Sequence, residues 1–450
     1  MAAQDHEMAR PTEPKTAYPS EELVGDPGHV APQIQYSQQL QEKFGLTSMI
    51  GFSCTIMVTW EAILFICQYE LTDGGPLGSI IGFIFCWIGY TLVALCLSEL
   101  NSIYPTAGGQ YHWTCELAPK SWRKPLSCMT GWLLVLGWQA DLANVAYLGG
   151  TIIQGLASLN YPDYEYSRNT CPGMVRHFGI SHRGWTASFE RRSWNTFYNL
   201  GGYEESGVTF FVGLIGPVFA FMGADGATHM SEEARNPRTT IPWSLITSIT
   251  LNGALGFGML LALLYCQGDV MQNLESPTGF PFLEAFMQAL RSLPWATAYT
   301  SILLVLLIFA TVAVLAATSR ATYAFARDNG LPFSNYLGHL HERSKLPIWA
   351  LGSYFNAIVL LTWRKLNGTA PEPGPWTIGK TPSLIVNIMT LIYIVIVFIF
   401  FFFPLTVTDL TPSSFNWAVV LYFGVVGIGM ALYLVRGKSY CEPMPFYRKH

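Results

Sequence analysis

The chain has 450 residues, 51% of them hydrophobic and only 12% charged, about half the ~25% charge of an ordinary soluble domain. Mean hydropathy is +0.31, and apolar residues come in blocks of about twenty between short polar connections, the pattern of a polytopic membrane protein. A net charge of −4, with no basic face beside the aromatic residues, excludes a nucleic-acid binder.

Residues 1–40 are polar and rich in Pro, Glu and Gln. They read as a disordered tail rather than a cleavable signal peptide. A membrane domain over 41–440 and a short tail over 441–450 follow. Apolar segments run over Leu46–Tyr69, Leu77–Leu97, Leu126–Leu156, Val208–Met222, Ile241–Cys266, Trp295–Ala317, Ile348–Trp363, Leu384–Leu405 and Trp417–Val435. Most reach the ~20 residues that cross ~30 Å of hydrocarbon. Val208–Met222 is short and holds Gly213, Gly216 and Pro217; Ile348–Trp363 is short and holds Gly352, Ser353 and Asn356.

Basic residues set the orientation. With the N-terminus in the cytosol, the inner loops hold Lys120, Arg123 and Lys124, then Arg235 and Arg238, then Arg320, Arg327, Arg343 and Lys345. Arg436, Lys438, Arg448 and Lys449 place the C-terminal tail on the same side. Outer loops 70–76 and 406–416 hold no basic residue, and 267–294 holds only Arg291. An even number of crossings must therefore separate Arg320 from Leu384, so Ile348–Trp363 is read as not spanning and eight crossings result. Asn367, in the sequon Asn367-Gly-Thr, is then cytosolic.

Four stretches carry a family signal: "GFSCTIMVTWEA" (Gly51–Ala62), "ELNSIYPTAGGQYHWTCELAP" (Glu99–Pro119), "FAFMGADGATHMSEEARNPRTTIP" (Phe219–Pro242) and "TSRATYAFARDNGLPFSNYL" (Thr318–Leu337). Together and in this order they resemble fungal amino-acid/choline permeases of the amino acid–polyamine–organocation superfamily, over about 45–160, 195–345 and 370–440. The resemblance implies an all-α fold of twelve helices with a five-plus-five inverted repeat, of which about 8–9 are present. Where such permeases continue with a fourth and fifth helix, residues 168–192 form an atypical polar, Arg/Ser-rich insert. The ninth and tenth helices are collapsed into a truncated region over 346–370. The gaps are what lost exons or a misread intron would leave.

In inverted-repeat transporters the substrate lies at mid-membrane between unwound helices, whose free N–H and C=O groups serve as ligands. Irregular backbone at that depth is tolerated only where it lines a cavity. Small and hydroxyl residues around Gly51, Phe52, Ser53, Cys54 and Thr55 allow such unwinding; the same holds for Phe221, Met222, Gly223 and Ala224, where the resemblance places the sixth helix's break. Phe52, Trp60, Trp138 and Phe221 supply aromatic faces for a quaternary amine. Close helix packing through small residues is the competing account of the glycines and serines. Glu61 and Asp141 lie inside spans, where ionised carboxylates are costly and point to function. Asp225, Glu232 and Glu233 sit at the cytosolic end of their helix, as solvated loop charges or as a gate paired with Arg235 or Arg320.

Two matches mislead. Gly374–Thr381 satisfies the G-x-x-x-x-G-K-[ST] phosphate-loop pattern, but no strand precedes it and Pro375 removes a donor. His112 and Glu116 are four apart without further ligands, which makes no metal site. Cys54, Cys67, Cys86, Cys96, Cys128 and Cys266 fall inside apolar blocks as small core residues, and no C-x-x-C occurs. No catalytic residue, cofactor or metal is expected. The partners expected are a small amine (an amino acid, GABA or choline), a coupling proton and the bilayer of the plasma membrane. The alternative is a non-transporting sensor or an inactive relic.

Overall fold

The computed structural model describes residues 43–161, 195–276, 278–331, 350–407 and 416–436. The tails over 1–40 and 441–450, the insert over 168–192 and residues 346–349 of the truncated region lie outside them. Among the described residues the secondary structure is helical, with two isolated bridges, Phe44–Ala234 and Asp73–Asn199.

In chain order the helices are α1 (Leu46–Met57), α2 (Thr59–Thr72), α3 (Gly75–Ile103), α4 (Gln110–Leu117), α5 (Arg123–Asn160), α6 (Ser206–Gly213), α7 (Ile215–Ala220) and α8 (Gly226–His229). Then come α9 (Pro237–Cys266), α10 (Val270–Leu274), α11 (Pro281–Leu290), α12 (Leu293–Arg327), α13 (Ala350–Leu366), α14 (Lys380–Phe400) and α15 (Ala418–Arg436). Among the described residues seven stretches are long and apolar enough to cross a membrane: Leu46–Thr72, Gly75–Ile103, Arg123–Asn160, Pro237–Cys266, Leu293–Arg327, Lys380–Phe400 and Ala418–Val435. Ser206–Ala220 is a shorter apolar helix.

The lipid face is written in the side chains. Ile302, Val305, Phe309 and Val312 form an exposed stripe along α12, and Ile385, Ile388, Ile392, Val395 and Ile399 form another along α14. Helical spacing puts each set on one side, and in water such stripes would be large unpaid apolar patches. A hydrocarbon surround accounts for them. The protein is a multi-pass membrane protein.

Contacts tie several helix ends together on two levels. Lys365 of α13 bonds Glu99 near the end of α3 at 2.7 Å, and Ser383 at the start of α14 bonds the same carboxylate. Arg364 Nε donates to the Leu117 carbonyl at 2.6 Å, and Trp376 N–H donates to Ser102 Oγ at 2.9 Å. Tyr111 donates to Asp328, just beyond α12, at 2.7 Å. The end of α12 and the start of α14 therefore share one basic level. The 17 residues of α13 return to that level rather than leading away from it. At the other level Val407 N–H donates to the Gly201 carbonyl at 2.8 Å, and Leu200 N–H donates to Thr72 at 3.1 Å.

Candidate functional site

The first break lies between α1 and α2. Val58 has φ +39° and ψ 35°, a left-handed conformation that is unfavourable for a β-branched residue. The expected unwinding at Gly51–Thr55 is displaced: these five residues are helical, and Thr55 Oγ1 donates back to the Gly51 carbonyl at 2.8 Å. Met49, Ser53, Ile56 and Met57 form the buried side of α1, whereas Gly51 and Thr55 lie on its exposed side. Phe52 and Cys54 are half-buried between them.

Polar groups without partners gather along both sides of this break. Ser53 Oγ, Thr59 Oγ1, Glu61 Oε2 and, on the adjoining α9, Asn252 Nδ2 are buried with no hydrogen-bond partner among the described residues. Buried polar atoms in native proteins are normally paired. Four such orphans lie here in neighbouring segments.

The second break follows α7. α7 ends at Ala220, Phe221–Asp225 form turns, and Gly223 takes φ +76°. A Cβ on Gly223 would fall inside the Ile56 side chain, and one on Gly226 would lie 2.5 Å from Ile56 Cδ1 and 3.4 Å from Trp138 Cη2. Ile56 is thus the wedge that joins the two breaks. Its seat explains why the bend in the first helix comes at Val58, immediately after the wedge, and not at the small residues before it. Phe221 is fully buried, stacked on Tyr90 at 5.4 Å and tilted against Phe83 at 5.2 Å. Met222 is half-buried and Ala224 buried.

Behind the second break lies a buried polar chain. Trp138 Nε1 donates to His229 Nε2 at 2.9 Å, and His229 Nδ1 meets the Ala107 carbonyl at 2.9 Å. The indole is only a donor and the carbonyl only an acceptor, so the ring carries its proton on Nδ1. Asp225 Oδ2 accepts from Gln110 Nε2 at 2.7 Å and lies 3.2 Å from His229 Nε2. Asp141, one turn beyond Trp138 on α5, is buried within electrostatic reach of Asp225. Trp138, Asp141, Asp225, Gly223 and Ala224 are thereby brought together, while Gly51 and Thr55 are not. The sequence reading missed His229, Gln110, Ile56 and Val58. The spacing Asp225–His229 on one helical face was the available signal for His229; Ile56 and Val58 carried none.

Nearer the basic level the acids are paired. Glu233 binds Arg320 at 2.8 Å and Glu232 binds Arg327 at 3.2 Å. The solvated-loop reading of these carboxylates is corrected, and so is Asp225, which is buried at the second break. Burial pushes the Asp328 carboxyl up to about 6, against its bond from Tyr111 and the nearby Arg327. Burial, helped by Arg327, pulls His112 down to about 4. No group of three metal-ligating side chains occurs among the described residues. Gly374–Gly379 is a loop held on Ser102, followed directly by α14 and with no strand before it, so the phosphate-loop match is fortuitous.

Two descriptions, both of amino acid permeases, match this chain, one over residues 58–167 and the other over 171–361. The chain belongs to the amino acid permease family. The second match takes in 171–192 and 346–361, beyond the stretches over which the motifs carry the resemblance. The permease is 24% identical over 468 positions to the choline transporter of Saccharomyces cerevisiae, covering 89% of this chain and 82% of that one. It is 24% identical over 480 positions to the GABA-specific permease of the same yeast (91% and 84%). To amino-acid permease 2 of Neurospora crassa it is 23% identical over 474 positions (90% and 87%). An alignment of 468 positions that uses 89% of 450 residues leaves about 70 positions without a counterpart here, the length of roughly three membrane helices. Permeases are transporters, not enzymes.

Proposed function

We propose that this permease is a secondary active transporter of a small amine, an amino acid or a relative such as GABA or choline, in the plasma membrane. The observation that carries the reading is the meeting of the two helix breaks through Ile56, Gly223 and Gly226, beside four orphaned polar groups. Broken half-helices at one depth offer free backbone donors and acceptors to a substrate, and a shared wedge lets one break move only if the other does. The segments that carry the breaks, 46–72 and 206–233, contain no Lys or Arg, whereas Glu61, Asp225 and, across from them, Asp141 are acidic. A cationic amine complements that charge, and the half-helix N-terminus of α2 can hold a carboxylate where the substrate has one. With both termini cytosolic, the pairs Arg320–Glu233 and Arg327–Glu232 form the inner gate. Transport then proceeds by alternating access within an incomplete five-plus-five inverted repeat, coupled to protons.

Gly223→Leu tests the site. The larger side chain collides with Ile56 and requires an unfavourable backbone angle, so uptake of labelled GABA or choline in permease-deficient yeast should vanish at normal surface expression. Normal uptake would refute the placement. The ~70 aligned positions without a counterpart, about three helices' worth, favour a second reading, a non-transporting sensor. Absence of uptake by the unmodified chain, with a retained nutrient response, would select it.

A further inference from the structure

α2 and α7 are the halves of the two broken helices on the side away from the basic level, and their seam is tight. A Cβ on Gly216 of α7 would lie 2.6 Å from Glu70 Cγ, and one on Gly213 would fall inside the Asp73 carbonyl. Glu70 is 2% exposed and neither carboxylate oxygen has a hydrogen-bond partner among the described residues. The Ser79 hydroxyl lies within reach of it, but that hydrogen is committed to the Gly75 carbonyl at 2.9 Å. A free lone pair on Ser79 can only accept, which suits a carboxyl that carries its own proton.

Among the described residues the surroundings offer no countercharge. The titratable neighbours are Cys67 on α2, Asp73 just past its end, and Cys86 on α3. α6 and α7 supply no titratable side chain, α9 ends in Tyr265 and Cys266, α10 has none, and Glu284 of α11 accepts from Gln272. The covering segment 195–203 adds Tyr198 and Tyr203. The basic side chain described at this level, Arg291, is exposed. Asp73, just beyond the helix, feels the same environment: burial pushes it up to about 7, with the Gly201 N–H acting against the shift.

We propose that Glu70 is a proton-binding site that operates the outer gate: the α2–α7 seam closes only when Glu70 has taken a proton from the outer water. An ionised, unpaired carboxylate in a dry seam is far costlier than a neutral one. Deprotonation therefore drives the seam apart until water reaches the carboxylate. The proton returns to the outer water when the seam reopens. The inference rests on the transporter reading and adds to it a dependence of closure on outer pH.

Two measurements on the full chain test it. Uptake of labelled GABA or choline by intact cells should fall about tenfold per unit rise of outer pH on the alkaline side, as a one-proton requirement dictates. Glu70→Met, apolar and of similar volume, should flatten that response at equal surface expression; the same pH response in Glu70→Met overturns the proposal. The second measurement needs no transport. Infrared difference spectra of the purified protein in lipid nanodiscs, pH 8 against pH 5, should show a protonated-carboxyl C=O band that grows with acid. Glu70→Met and Glu70→Gln should both lack one component of it. A band identical in all three proteins overturns the proposal even if the chain moves no substrate, so failure of the gate and failure of the transporter reading are told apart.

Discussion

Ile56 and Gly223 set the geometry of the site together, and their contact makes a reciprocal test. Gly223 has φ +76°, where any L-residue pays roughly 1–2 kcal/mol, and its missing side chain leaves the space that Ile56 fills. Gly223→Ala should therefore impair uptake through two effects, one from the backbone and one from the collision. Ile56→Ala removes only the collision. The double variant should recover part of the uptake lost in Gly223→Ala, and its thermal stability should exceed the value expected from adding the two single losses. Strict additivity in a thermal-unfolding assay would show that Ile56 does not press on Gly223. The same contact explains what was hidden in the sequence. Gly51, Ser53 and Thr55 satisfy every local criterion for an unwound segment, but Thr55 bonds back to Gly51 and keeps the helix intact. Ile56, two residues before the bend at Val58, meets a glycine 167 positions away, and no local pattern reports such a contact.

Apolar run length made the elements legible, since a membrane allows few alternatives to a helix. Their ends were less so. The segment Trp295–Ala317 extends to Arg327 and Leu77–Leu97 to Ile103, because Arg320, Arg327 and Glu99 find ion-pair partners that a hydropathy profile does not see. At this basic level two buried groups oppose one another as pH changes. His112 is held neutral down to about 4 by burial and by Arg327, whereas an unfolded histidine protonates near 6.5. Its share of stability is intact above about 6.5 and is lost as pH falls from there toward 4. Asp328 is held protonated up to about 6, chiefly by burial, while the unfolded side chain ionises near 3.9. Its share is intact below about 3.9 and is lost as pH rises from there toward 6. The two slopes cover nearly the same window with opposite sign. Asp328→Asn keeps an acceptor for Tyr111 and removes only the second slope. The variant should be more stable than the parent above pH 6, and its melting temperature should fall more steeply between pH 6.5 and 4. Parallel melting curves for the two proteins across that range would mean that Asp328 is ionised throughout.

At the scale of the whole molecule, the charge asymmetry of the loops and the helix-end contacts agree on parity. α12 ends and α14 begins at one level, tied together through Tyr111–Asp328, Glu99–Lys365 and Ser102–Trp376. α13 descends to that level and adds no net crossing between them. Asn367 follows α13 and is exposed there, beside Arg364 and Lys365, whereas Cys266 is exposed at the far end of α9. Positive charge favours the cytosolic side, so the two residues should report opposite compartments. In intact cells a membrane-impermeant thiol reagent should label Cys266, and Asn367→Gln should leave the electrophoretic mobility of the protein unchanged because no glycan is carried there. A mobility shift on removing Asn367, together with a Cys266 that reacts only after permeabilisation, would invert the molecule. The pairs Arg320–Glu233 and Arg327–Glu232 would then face outside and the Glu70 seam inside. The gate assignments would exchange, while the meeting of the two breaks at Ile56 would stand, because it depends on packing and not on which side of the membrane is wet by the cytosol.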